Sequence, residues 1–348
     1  MSTPPVPSPR PAARARYAIP VLAAVLILAA AWSLTVGQYP ISLGDQWRFC
    51  LRALSGQPSA AGEQHRIATV LCDIRFPRLL AAMLVGAVLA ASGTAYQAMF
   101  VNPLVSPGLL GVLAGSAFGA AVGMLAGVNW TLVQVFAFTG GITAVGLAVA
   151  MAGSGKGDKL LLLILGGVIS SALFTALLAA AKYVADPNDE LPAITYWLMG
   201  GLSRADGATM RLAGPVFCLG LVILFRFAGR LDLLSLGDEE ARSLGLSTGP
   251  VRLALIALST VLCALTVSIA GLIGWVGLII PHAGRMLVGP GHGRLLPAAA
   301  LLGAVYLLAV DDISRLAFGV EIPLGILTAL IGIPFFPLVL KNARKGWS

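Results

Sequence analysis

The chain has 348 residues, of which 58% are hydrophobic and only 11% charged. A soluble domain carries about a quarter charged residues, so this composition excludes a water-soluble globule and, for the same reason, a disordered chain. At roughly 20 apolar residues per crossing of a hydrocarbon core, the chain has room for about ten spanning helices. Its net charge of +8, from 23 Lys+Arg against 15 Asp+Glu, has to be placed relative to a membrane before it carries meaning, and no nucleic-acid partner is expected.

Residues 1–16 are polar and rich in Pro, Ala and Arg, and are expected to form a disordered cytoplasmic tail. The apolar run Tyr17–Val36 is long for a signal peptide and no small-x-small cleavage site follows, so it reads as a retained first helix. The polar stretch Gly37–Arg75 is too long for a tight turn and is expected to contain short helices. Apolar segments then recur at 77–100, 108–127, 130–152, 160–183, 209–229, 252–271, 275–288, 295–310 and 323–340. They are solid runs without the alternation of barrel strands, so the expected class is all-α, a polytopic membrane domain over 17–341 with about ten helices. A cytoplasmic tail of 342–348 follows. The segments at 275–288 and 295–310 are short for a crossing, and must be tilted together, broken, or longer than the apolar run.

An even number of crossings puts both termini on one side. With the termini inside, the interior loops and flanks hold 14 Lys/Arg against 5 acids, and the exterior 9 against 10. That bias favours cytoplasmic termini. It leaves five arginines, Arg48, Arg52, Arg66, Arg75 and Arg78, together on the disfavoured side. Cys218 and Cys263 lie in apolar stretches and read as small core residues. Cys50 and Cys72 share one polar loop and can pair only if that loop is extracytoplasmic. Gly115, Gly119, Gly123 and Gly127 stand four apart, a side-chain-free stripe for helix packing whose partner the spacing leaves open. Gly271, Gly274 and Gly277 read similarly at a helix junction.

No acid, lysine or histidine is read in mid-segment, which counts against an ion-coupled carrier. Gly153-Ser-Gly-Lys156 fails as a phosphate loop, because Ala150 stands where its first glycine belongs and Gly157 follows the lysine. The three histidines, His65, His282 and His292, are scattered, and His65 alone does not argue for haem. No catalytic constellation, metal-ligand set or cofactor site is expected, so any energy source must come from outside the chain.

Two polar segments carry information. Leu231–Gly249 places Asp238, Glu239 and Glu240 beside Arg242, with Gly237 dividing two short amphipathic pieces. Leu236, Ala241 and Leu244 then supply an apolar face for a soluble partner; a solvated loop is the plainer alternative. Arg75 and Arg78 flank Pro77 at a helix start, and Arg315 follows Asp311 and Asp312. Guanidinium forks suit carboxylates on a partner, while snorkelling or lipid-phosphate contact is the plainer reading.

Arg75-Phe-Pro-Arg78, the run 86–120 (GAVLAASGTAYQAMFVNPLVSPGLLGVLAGSAFGA), the segment 234–246 (LSLGDEEARSLGL), the block 271–297 and the block 311–341 occur in that order. Together they resemble the FecCD-type permeases of iron-siderophore, haem and cobalamin, the type II importers of the ATP-binding-cassette class. The resemblance covers about 75–341. It implies ten transmembrane helices in the bacterial inner membrane, a homodimer, two ATPase subunits that bind ATP and magnesium, and a periplasmic substrate-binding protein. It maps ATPase coupling to Leu236, Gly237, Asp238, Glu239, Glu240, Ala241, Arg242, Leu244 and Gly245. It maps binding-protein docking to Arg75, Arg78 and Arg315, the cytoplasmic gate to Asn102, Pro103 and Leu104, and a short periplasmic helix to about 190–200. The substrate expected is a metal chelate, with a molybdate-type oxyanion as the alternative.

Overall fold

Small residues decide which helix sits in the middle. The computed structural model describes residues 13–37, 39, 41–55, 62–155, 157–317 and 320–343. In order these form α1 (Ala13–Thr35), α2 (Leu43–Leu54), α3 (Glu63–Thr69), a one-turn π-helix (Val70–Arg75), α4 (Phe76–Met99) and a 3-10 turn (Pro107–Leu110). There follow α5 (Val112–Leu125), α6 (Trp130–Ser154), α7 (Lys159–Val184), α8 (Glu190–Leu198), α9 (Gly207–Arg226), α10 (Ala228–Leu234), α11 (Asp238–Ser243), α12 (Thr248–Ala270), α13 (Val276–Val288), α14 (His292–Leu316) and α15 (Leu324–Ala343). No strand occurs among the described residues.

Helix α4 is the axis of the bundle. Its middle reads Ala, Gly, Ser and Thr, and from Val85 to Met99 every residue is buried. Helices α9, α12, α13 and α14 surround it. A Cβ on Gly86 would lie 2.1 Å from the Gly303 carbonyl oxygen of α14, and one on Gly93 would lie 2.1 Å from the Gly277 carbonyl oxygen of α13. Backbones that close have no room for a methyl group, which is how membrane helices gain dispersion contacts without a hydrophobic driving force between them. Helix starts are fixed locally as well. The Asn129, Asp158 and Asp206 side chains accept from the amides of Leu132, Leu160 and Thr209 at 3.0, 2.8 and 2.8 Å, capping α6, α7 and α9.

Each of the ten apolar segments is a helix. Among the described residues seven helices are long and apolar enough to cross a membrane, and the apolar helices at Val112–Leu125, Val276–Val288 and Leu324–Pro334 are shorter. Of the two short segments, α13 remains short at 13 residues, entered through an extended stretch in which Trp275 has φ +68°. Helix α14 instead runs 25 residues to Leu316, past the end of its apolar run. Its last turn includes Asp311, Asp312 and Arg315, whose charges are paired within the chain and so need no solvent.

Several expectations are corrected. The first helix begins at Ala13, inside the expected tail, and α15 runs to Ala343, so the final tail is shorter by two residues. Residues 1–12 and 344–348 lie outside the described residues, as does the Cys50 side chain. Cys263 is buried, but Cys218 is exposed on the outer face of α9. His282 lies in the middle of α13, so a mid-segment histidine exists after all. The partner of the glycine stripe is α6 of the same chain. Gly115 meets Gly140 and Ala144, Gly119 meets the Phe136 carbonyl, and Gly123 meets Val133. Gly127 is not part of that contact: at φ +62° it ends α5 with open space beside it.

Gly86→Leu should abolish a monodisperse preparation in detergent, because the nearest obstacle is backbone of α14 and cannot rotate away. Gly146→Ala, on α6 with nothing within 4 Å of the added methyl, should leave size-exclusion profile and thermal midpoint unchanged or slightly improved.

Candidate functional site

The two ends of α4 carry different chemistry. At its N-terminal end the π-helix and first turn present Arg75 and Arg78, and at its C-terminal end the chain reverses into the loop holding Asn102, Pro103 and Leu104.

Arg78 is 8% exposed, and its guanidinium is shared by two carboxylates. Its Nε and Nη2 donate to Asp311 at 2.9–3.1 Å, and Nη1 donates to Glu321 at 2.7 Å. Arg315 pairs with Asp311 through Nε at 3.2 Å and with Asp312 through Nη2. It also donates to the Val36 carbonyl at 3.0 Å and to Ser33 Oγ at 2.9 Å, and Ser33 in turn donates to Asp312 at 2.6 Å. Arg75 donates to the carbonyls of Leu34 and Tyr39. Two arginines therefore satisfy the terminal carbonyls of α1, which a helix end leaves without partners and where cations are favoured. This closed network fastens α1, α4 and α14 together at one end.

Arg75, Arg78 and Arg315, the positions expected to dock a binding protein, are thus held inside the chain. Arg75 and Arg78 are buried, Arg315 is partly buried, and all three guanidinium groups are engaged within the chain. The partners were hidden in sequence by separations of 233 residues for Asp311 and 243 for Glu321. Only the i, i+3 and i, i+4 spacing of Asp312 and Asp311 to Arg315 on one helix was a signal that pairing is internal.

The other end holds the segment expected to couple to an ATPase. It forms α10 and α11, divided at Gly237, whose φ of +103° favours glycine. The expected apolar face splits in two. Ala241 is fully buried, while Leu236 and Leu244 are 54% and 59% exposed. Glu239, Glu240, Arg242 and Gly245 are exposed beside these leucines. Asp238 turns inward: its carboxylate lies 2.5 Å from Arg252 Nη2 and 3.3 Å from Arg242 Nη2. The Arg252 hydrogen bond is the main reason that the Asp238 carboxyl is held below the usual carboxylate range. Asp232 on α10 accepts from the His292 amide at 2.8 Å and lies 2.7 Å from His292 Nδ1, capping α14 from another element. Arg252 and Asp232 are the functional candidates that the sequence reading missed, since a lone arginine after a proline and a lone aspartate among leucines carry no pattern.

In the loop after α4, Val101 has φ +46°, and Asn102 Oδ1 accepts from the Leu104 amide at 2.9 Å. Leu104 is 47% exposed at the turn. An apolar cavity of about 400 Å³ lies between α8, α15 and the stretch before α13, lined by Leu198, Met199, Leu272, Ile326, Leu330 and Ile333 among others. Among the described residues no three His, Cys, Asp or Glu are placed to hold a metal ion.

Arg78→Ala should destabilise by about 3–5 kcal/mol, because it leaves Asp311 buried and only partly compensated. Glu321→Gln, at the more exposed partner, should cost less than about 1 kcal/mol. Thermal midpoints in one detergent measure both. Because the folded-state value of Asp238 is depressed, its pairing contributes stability above the ordinary carboxylate range and loses it as pH falls through the folded value. The midpoint difference between the unaltered chain and Asp238→Asn should hold steady from about pH 8 to about pH 5 and shrink in stronger acid.

A family model described as the FecCD transport family matches residues 25–342. The molybdate import system permease protein of Haemophilus influenzae is 39% identical over 93% of this chain and 95% of its own length. The cobalamin import system permease protein of Halobacterium salinarum is 37% identical over 82% of this chain and 77% of its own. A solved metal-chelate type ABC transporter in an inward-facing conformation superimposes with TM-score 0.83 at 38% identity, over 93% of this chain and 98% of that one. The chain belongs to the FecCD transport family as a multi-pass importer permease of the ATP-binding-cassette class.

Proposed function

We propose that this chain is the membrane conduit of an importer that takes a metal chelate from a periplasmic binding protein and releases it into the cytoplasm, powered by ATP hydrolysis in two partner ATPases. The observation that carries the reading is the α10–α11 hairpin. It exposes Leu236 and Leu244 with Glu239 and Glu240 beside them, on helices whose other faces are anchored to the bundle by Asp232, Asp238 and Ala241. Apolar anchors ringed by charge suit the groove of a soluble protein. Movement of that partner would reach the bundle as a rigid displacement, since the hairpin is fastened at both of its helices.

Substrate would pass between two copies of the chain. The cavity beside α15 has an apolar wall without a cation or a side-chain donor, which suits a bulky chelate held weakly and released quickly. A second reading, import of a molybdate-type oxyanion, is favoured by the 39% identity to the molybdate permease over nearly its whole length. Specificity would reside in the delivery protein on either reading. The end of the bundle bearing Arg78, Asp311 and Glu321 would receive that protein, with the internal network holding the surface in shape.

In proteoliposomes holding this chain, its ATPase and its binding protein, uptake should require all three. Leu236→Arg with Leu244→Arg should prevent ATPase binding or cut ATP-driven uptake by more than ten-fold, the scale of one lost hot-spot pair. Uptake at full rate without the ATPase would refute the proposal. Comparing labelled molybdate with a labelled ferric chelate and with cobalamin separates the two substrate readings.

A further inference from the structure

Helix α10 packs against α4, and one side chain adds a polar link from α11 to the end of α4. Arg252, in the first turns of α12, is 8% exposed. Its Nη1 and Nη2 donate to the two carboxylate oxygens of Asp238 at 3.2 and 2.5 Å. The same Nη2 donates at 3.3 Å to the carbonyl oxygen of Met99, the last residue of α4. That carbonyl is one of the acceptors that a helix leaves unsatisfied at its C-terminal end. Two residues later the backbone enters the strained turn at Val101 and then Asn102, whose amide donates back to the Gln97 carbonyl at 3.1 Å. A planar guanidinium bridging two acceptors on different elements is a stiff link. Arg252 therefore spans from the first residue of α11 to the start of the gate loop.

We infer that Arg252 is a positioning residue for gating, relaying displacement of α11 through Asp238 to the Met99 carbonyl and so to the loop 100–106. The inference deepens the proposed import function and rests on it. The competing role is structural: Arg252 would simply neutralise Asp238. The two roles separate chemically. A reciprocal exchange, Asp238→Arg with Arg252→Asp, keeps the ion pair, but an aspartate at 252 cannot donate to the Met99 carbonyl. The second anchor, Asp232 on His292, fixes α10 to the start of α14 and is left intact in both Arg252 variants, as is the packing of α10 on α4, so the label pairs read the Arg252 link separately.

The test uses the full complex of this chain with its ATPase in nanodiscs. Cys50, Cys72, Cys218 and Cys263 are replaced by alanine, and a spin label is placed at Ser243→Cys on α11 or at Leu104→Cys in the gate loop. Pulsed spin-resonance distances between the two copies are read with and without ATP and vanadate. In the otherwise unaltered chain both label pairs should shift. In Arg252→Met and in the reciprocal exchange, the α11 pair should still shift and the gate pair should not. Uptake per ATP hydrolysed should fall about ten-fold, the scale of one charge-assisted hydrogen bond. Asp238→Asn, at a carboxylate with a third of its surface exposed, guards against loss of fold in the buried variant and should give an intermediate gate response. A gate pair that shifts normally in Arg252→Met, or full uptake per ATP in the exchange, overturns the relay and leaves the import reading standing. No ATP-dependent shift at α11 in the unaltered complex overturns the import reading, and the relay with it.

Discussion

Close backbone contact around α4 is the constraint from which the rest follows. Gly86 against Gly303 and Gly93 against Gly277 bring α14 and α13 to distances that no other residue permits. With these neighbours so near, α4 is buried almost throughout, and both of its ends become fixed points of the bundle. One end carries the arginine network and the other the loop of Asn102, Pro103 and Leu104. A helix of 24 residues rises about 36 Å, so these two regions stand a membrane's thickness apart on a single rigid element.

The charged groups then follow one rule. In a medium of low dielectric an unpaired ion is far more costly than a paired one, and the charges at the two ends of α4 are consumed in pairs or spent on helix ends. Arg78 takes Asp311 and Glu321, Arg315 takes Asp312, and Arg75 takes the last carbonyls of α1. Asp232 and Arg252 do similar work at the opposite end, one at a helix start and one at a helix stop. Beside these paired groups Leu236 and Leu244 stay exposed, with Glu239 and Glu240 next to them, and this contrast supports the proposed docking surface.

Much of this was legible in the sequence. Solid apolar runs announced helices, because a spanning segment must satisfy its own backbone hydrogen bonds. Gly237 announced the break between α10 and α11, since the following DEE triplet favours a new helix start. The glycines of α5 announced close packing. Less was legible where charge and helix overlap. The apolar run of α14 stops at Val310 while the helix continues through its paired acids to Leu316, and Arg78 looked outward because its carboxylate partners lie more than 200 residues away. Arg252 carried no signal, because its role depends on a backbone carbonyl that has no residue type.

The sequence alone determined that the chain is a multi-pass membrane protein and where its helices fall, since these depend on local apolar length and on residues adjacent in the chain. Only the tertiary structure decided that α6 is the partner of the glycine stripe, that the three arginines are engaged inside the chain, and that Arg252 bridges Asp238 to the Met99 carbonyl. Each of those depends on which distant backbone or charge comes within 3–4 Å, and burial in a close-packed bundle is what turns such proximity into a fixed contact.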